Sequence, residues 1–247
     1  MNKLKPLPEE WSGLLNNEQK EAIENINGPL LIIAGAGSGK TRVLTYRYAH
    51  LIKTYGINFE NVLAITFTNK AANEMKDRIS DLLNLELSPK WISTFHSLCV
   101  KMLRIHGHLI GFNNNFTIYD QSDSTKLVRN CMRDSDIDTK QYSPKRIQAH
   151  ISSLKNQRIL PGEAVEFAQS FFDVKVAEIY SSYQKKLMLA NSMDFDDLLI
   201  KAVELLETSD KSLNYWSSKF QYIMIDEYQD TNMVQYRLVE LLSLIHI

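Results

Sequence analysis

The chain has 247 residues, 44% of them hydrophobic, and a formal net charge of -1. That length suits one large domain or two small ones with a real core, and the near-neutral balance excludes binding to nucleic acid or membrane through overall charge, so any such site must be a local patch. Two well-separated cysteines, Cys99 and Cys131, argue against a disulfide framework; with no signal-peptide pattern after Met1 and no apolar run of bilayer length, a cytoplasmic protein without a membrane partner is expected.

Residues 1–15 carry Pro6, Pro8 and Gly13 and read as an irregular arm. Asn16 is placed to cap a helix over 17–25, which Asn27-Gly28-Pro29 ends. A strand is expected over 30–34, then a glycine loop, then a helix from about 39 to 53 with apolar positions at Val43, Tyr46, Tyr48, Leu51 and Ile52. A strand over 62–66 and a helix over 70–83 follow, then a strand over 91–94 and a helix over 95–106. This alternation predicts an α/β fold with a parallel sheet covered on both faces. The rhythm then breaks. A strand is expected over 116–119 and the next clear one over 221–225, with about a hundred residues between, far more than a crossover needs. Those residues read as helices over 122–133, 144–156, 161–171, 174–189 and 195–207, an inserted helical subdomain.

Two stretches carry chemistry. Ala34-Gly35-Ala36-Gly37-Ser38-Gly39-Lys40-Thr41 matches a phosphate-binding loop, with Ala34 where the pattern has glycine. Glycines turn backbone N–H groups towards phosphates, and the following helix points its positive end at the same anions. Lys40 is expected to neutralise the β- and γ-phosphates, and Thr41 to hold Mg²⁺ through its hydroxyl. The second stretch, 222–230, delivers adjacent carboxylates at the end of an apolar strand, where ligands sit in open α/β sheets. Asp226 is expected to join Thr41 in holding Mg²⁺, and Glu227 to accept a proton from the attacking water.

Four segments in order, 34–41, 66–72 (Thr-Phe-Thr-Asn-Lys-Ala-Ala), 94–96 (Thr-Phe-His) and 225–231 (Ile-Asp-Glu-Tyr-Gln-Asp-Thr), resemble motifs I, Ia, Ib and II of the UvrD/Rep/PcrA helicases. These are superfamily 1 DNA helicases that move 3′ to 5′ along single strands, and the resemblance covers essentially residues 14–241. It implies a RecA-like P-loop NTPase parallel sheet, domain 1A, truncated, with an inserted helical subdomain 1B. The implied boundaries are 1–118 for the first part of 1A, 119–212 for 1B, and 213–241 for the return to 1A. ATP and Mg²⁺ are the implied cofactors. Single-stranded DNA, single/double-strand junctions and a missing C-terminal motor domain are the implied partners. By the same resemblance Gln19 bonds the adenine, Arg42 contacts the nucleotide, and Thr66, Phe67, Thr68, Asn69, Thr94, Phe95 and His96 contact DNA. Residue chemistry alone leaves Phe67 open: it either stacks on a base or packs under its helix. His96 either meets DNA or caps its own helix.

Other clusters read as structural. Asp194 is expected to be a helix N-cap with Asp196 and Asp197 favouring the dipole, rather than a nuclease metal site. His96, Cys99, His106 and His108 lack zinc-site spacing. The basic residues Lys126, Arg129 and Arg133 read as a solvated face that in the family context tracks duplex backbone. Residues 242–247 are expected to be a non-native tail, and the chain to be the N-terminal part of a motor. Two alternatives stay open: a helicase–nuclease subunit of the RecB or AddA type, and a non-motor module that holds ATP or single-stranded DNA.

Overall fold

The computed structural model describes residues 3–35, 37–84 and 89–243. In chain order the helices and strands are α1 (Glu9–Ser12), α2 (Asn17–Glu24), α3 (Lys40–Tyr55), β1 (Val62–Thr66), α4 (Asn69–Leu83), β2 (Ile92–Thr94), α5 (Phe95–His106), β3 (Thr117–Ile118), α6 (Gln121–Asp134), α7 (Pro144–Asn156), α8 (Phe171–Leu189), β4 (Ser192–Met193), α9 (Phe195–Thr208), α10 (Asp210–Lys219), β5 (Tyr222–Ile225) and α11 (Met233–Ser243). This is a mixed α/β protein with a parallel sheet. Two units separate: one holds the chain up to Leu98 together with Asn214–Asp230, the other Cys99–Leu213 with Thr231–Leu241. Among the described residues no helix is long and apolar enough to cross a membrane.

In the first unit the sheet runs β2-β1-β5, all parallel, with Thr66 opposite Thr94 and Ile65 opposite Ile225. The central strand β1 is buried along its whole length, which explains why its sequence, Val-Leu-Ala-Ile-Thr, is a continuous apolar run rather than an alternation. Tyr48 and Leu51 of α3, with Met75 and Ile79 of α4, pack with Val62, Ala64 and Ile92 from the sheet. A second cluster joins Val43, Tyr46 and Ala49 of α3 to Ile23 of α2 and to Leu7, Trp11 and Leu15 of the N-terminal arm. The arm is therefore not irregular throughout. Its single turn α1 seats Trp11 edge-on against Tyr46, with centroids 5.5 Å apart.

The expected strand over 30–34 does not form. Residues 30–35 have no regular structure, and Leu31 and Ile33 are 68% and 89% exposed. A strand is completed only by a neighbour that takes its backbone bonds. In the ladders of the described residues none lies beside this run, and β2 and β5 are the sheet's edges.

The second unit is built on α6, α7 and α8, whose Val128, Cys131, Ile147, Ile151, Val176, Ile179, Tyr183 and Leu187 share one core. The strand expected over 116–119 shrinks to the two residues of β3, paired in parallel with β4. The helix expected over 161–171 is a series of turns over 161–167. Of that stretch Ala164 is buried but Val165 and Phe167 are exposed, so too little apolar surface is covered to hold it helical. Helix α10 was not anticipated. Of the expected tail, Leu242 and Ser243 close α11, with Leu242 buried, and 244–247 lie outside the described residues.

The aspartates at the start of α9 do cap it: Asp194 accepts the Asp197 N–H at 2.8 Å. They also hold a buried cation. Lys155 Nζ lies 2.7 Å from Asp194 Oδ2 and 2.7 Å from Asp197 Oδ1, and the Tyr183 hydroxyl donates to Asp194 Oδ2 at 2.8 Å. Burial alone would depress the Lys155 ammonium, but the two carboxylates hold it above its ordinary range. Lys155 follows Ile147 and Ile151 at a spacing of four on the apolar face of α7, a signal that it faces inward. Replacing Lys155 by Met strands two buried carboxylates and is expected to cost about 3–5 kcal/mol, a drop of roughly 10 °C in thermal unfolding. A melting temperature within about 1 °C of the parent would show that the cluster contributes nothing.

Candidate nucleotide and nucleic-acid site

The glycine loop is shaped by its own backbone. Gly37 and Gly39 have φ of +77° and +92°, conformations that L side chains rarely adopt, and α3 starts directly after them at Lys40. Ser38 closes the loop, with its N–H and its hydroxyl both donating to the Gly35 carbonyl, at 3.3 and 2.7 Å. Lys40 lies back along it: its Nζ donates to the carbonyls of Ala34 at 3.1 Å and Gly35 at 3.3 Å. Ala36 lies outside the described residues. Arg42 is exposed one turn into α3, with its guanidinium 5.6 Å from the Tyr46 ring centroid.

Gln19 meets this loop. Its Oε1 accepts the Asn16 N–H at 3.1 Å in the capping box of α2, and its Nε2 donates to the Ser38 carbonyl at 3.0 Å. A Cβ at position 39 would stand 2.9 Å from Gln19 Nε2, so a side chain there would displace the Gln19 amide from the loop.

The second half of the site arrives at the end of β5. The Asp226 N–H continues the ladder to the Ile65 carbonyl at 2.9 Å. Its buried carboxylate then receives two donors: the Thr41 hydroxyl on Oδ2 at 3.0 Å and the Glu227 N–H on Oδ1 at 3.1 Å. Residues 185 apart in sequence are thus brought into direct contact. Glu227 is exposed, has φ of +51°, and accepts from Gln229 Nε2 at 2.6 Å. Gln229 was not anticipated, because nothing in its sequence surroundings marks it as a partner for Glu227.

Thr66 and Thr94 end adjacent parallel strands, at the same C-terminal edge of the sheet from which Asp226 emerges. Thr68 caps α4 by accepting the Ala71 N–H at 3.1 Å, and Asn69 is the exposed first residue of that helix. Phe67 is half-buried, its ring edge-on to Phe95 with centroids 5.7 Å apart. Three of the expected contact residues turn inward instead: Phe95 is 2% exposed, Thr66 donates to the Thr68 carbonyl at 3.1 Å, and Thr94 caps α5 through Ser97 at 2.9 and 3.2 Å. Phe67, Thr68, Asn69 and His96 are the members of this group with surface to offer.

Taken together, a mixed α/β unit carries a glycine loop, a helix N-terminus and a buried aspartate at the C-terminal edge of a parallel sheet, the arrangement of a phosphate-loop protein. Residues 15–246 match the family model described as UvrD/REP helicase N-terminal domain, and the chain belongs to that family. It is similar to the ATP-dependent DNA helicase PcrA of Staphylococcus aureus, at 46% identity over 229 residues, 93% of this chain and 31% of the relative. The PcrA of Staphylococcus epidermidis gives the same identity and coverage. The chain thus spans about a third of the length of these relatives.

Proposed function

We propose that this chain is the nucleotide-binding N-terminal motor portion of an ATP-dependent DNA helicase that moves 3′ to 5′ on single-stranded DNA. The observation that carries the reading is the 3.0 Å bond between Thr41 and Asp226, which sets a hydroxyl and a carboxylate side by side next to Lys40. On this reading 1–118 is the first part of a RecA-like domain 1A, 119–212 is the inserted subdomain 1B, and 213–241 returns to 1A. The oxygen donor set of Thr41 and Asp226 suits a hard divalent cation, so these two residues would hold Mg²⁺, which offsets phosphate charge when bound. Gly35, Gly37, Ser38 and Gly39 present backbone N–H groups to the phosphates of ATP. Lys40 exchanges the carbonyls of Ala34 and Gly35 for phosphate oxygens, and Glu227 takes the proton of the attacking water. Gln19 and Arg42 border the nucleotide. A C-terminal motor domain is the partner that would supply an arginine finger, a contribution of about 10³–10⁵ in rate.

Single-stranded DNA, and its junctions with duplex, are the proposed substrate, met by Phe67, Thr68, Asn69 and His96, with Thr66, Thr94 and Phe95 shaping the strand ends beneath them. Phe67→Ala is expected to weaken binding to a labelled oligothymidylate by about 1–3 kcal/mol, roughly 5- to 150-fold. Unchanged fluorescence anisotropy titrations would refute the stacking role. The function as a whole is tested by ATP hydrolysis in the protein expressed from its full reading frame: stimulation by single-stranded DNA is expected, and hydrolysis indifferent to DNA would overturn the motor assignment.

A further inference from the structure

We propose that Arg47 is a positioning residue for base recognition: it holds α2 in register on α3, so that the Gln19 amide meets adenine and rejects guanine. The proposal rests on the nucleotide-binding reading above and lies wholly within the first unit. Arg47 is buried, in the middle of α3. Its Nη1 donates to the Ala22 carbonyl at 2.6 Å and to the Asn25 carbonyl. Both bonds go to backbone oxygens at the C-terminal end of α2, where a helix has carbonyls without intrahelical partners. The negative end of the helix dipole suits the cation placed there.

A buried charge is a weak source of stability, since an apolar side chain of similar volume often serves as well. Burial also pulls the Arg47 guanidinium below its ordinary range. What the charge supplies is direction. Ile23 packs with Val43, Tyr46 and Ala49, and Ile26 with Tyr48 and Leu51. Such apolar contacts press α2 against α3 but are non-directional, so they tolerate a small slide of one helix on the other. Hydrogen bonds weaken steeply with misalignment, so the Arg47 pair fixes the register. Helix α2 has only 8 residues, a length at which tertiary contacts decide where a helix sits.

Gln19 lies one turn before Ala22 on the same helix. Its Oε1 accepts the Asn16 N–H at 3.1 Å, and its Nε2 donates to the Ser38 carbonyl at 3.0 Å. The short helix is thus tied to α3 and its preceding loop at both ends, by Gln19 in the first turn and by Arg47 in the last. An amide sets a donor beside an acceptor, which matches N7 and the N6 amino group of adenine; guanine presents two acceptors, N7 and O6. To read the base, Gln19 must give up Ser38. That step releases the tie in the first turn, and Arg47 then keeps α2 in place while the amide turns. A slide by one residue, about 1.5 Å, would carry the amide out of bonding range of the base.

The test measures Kd for fluorescently labelled ATP and GTP, together with thermal unfolding, in the protein expressed from its full reading frame. Arg47→Met keeps much of the volume and removes the donors. About a tenfold fall in the preference for ATP over GTP is expected, arising from weaker ATP binding, with GTP affinity within about twofold of the parent. Gln19→Ala should lose at least as much, and the double variant little more, as for two residues acting on one contact. Arg47→Gln serves should methionine unfold the protein: it retains polar hydrogens but stops short of both carbonyls, and the preference should fall likewise. Equal losses for ATP and GTP, or an unchanged preference in a folded variant, would overturn the proposal and leave Arg47 a packing residue. So would a parent that binds both triphosphates alike, with the nucleotide-binding reading intact. A parent that binds neither would remove that reading, and this proposal with it.

Discussion

Glu227→Gln is expected to leave ATP binding within about twofold of the parent and to cut turnover by a factor of about 10²–10⁴, the range over which a positioned general base acts. The two side chains are nearly isosteric. Glutamine can still meet Gln229 through its amide oxygen, so the left-handed turn at 227 is retained. What it loses is the ability to accept the proton of water. The asymmetry between an intact binding curve and a collapsed rate is therefore the signature of the role. Single-turnover hydrolysis beside equilibrium binding of a fluorescent nucleotide checks it, and rapid hydrolysis in the variant would reassign the base.

Lys40→Ala should fail at the opposite step. In the present structure the ammonium is satisfied by two carbonyls of its own loop, and phosphate oxygens are stronger acceptors for the same donors. Two charge-assisted bonds at roughly 1.5–3 kcal/mol each predict ATP binding weaker by about 10²–10⁴-fold. Lys40→Arg is the informative companion. It keeps the charge but presents a planar fork in place of a compact point charge, and is expected to recover only part of the affinity. Isothermal titration with the Mg²⁺ complex of ATP reads both. Parent affinity in Lys40→Ala would place the phosphates elsewhere.

Legibility in the sequence followed how locally each element is determined. Strand β1, helix α5 and helix α7 take their limits from neighbouring chemistry, the apolar run 62–66, the serine and threonine bonds around 94–97 and Pro144, and they fall where the pattern places them. The cap at Asn16 was equally readable, because a capping box is a relation between residues three apart. The failures share a cause. The run at 30–34 has the composition of a strand, yet a strand exists only with a partner, which local pattern cannot supply. The helix expected over 161–171 did not form, because Val165 and Phe167 find no neighbouring surface to cover them. The motifs singled out Lys40, Thr41, Asp226 and Glu227, and the structure brings Thr41 into contact with Asp226. Gln229 was missed because nothing local marks it as a partner for Glu227, and the burial of Lys155 between Asp194 and Asp197 was missed because those partners lie about forty residues away.

The conformation of Glu227 has a consequence for anyone seeking a hardier version of this protein. Position 227 is one where glycine or asparagine would relieve the backbone, so a search guided by fold stability alone would select against the carboxylate there. On the proposed role of Glu227 as the base, stabilisation and function thus pull in opposite directions at this residue. Improvements are better sought at exposed sites away from it, where robustness can rise without trading away the reaction.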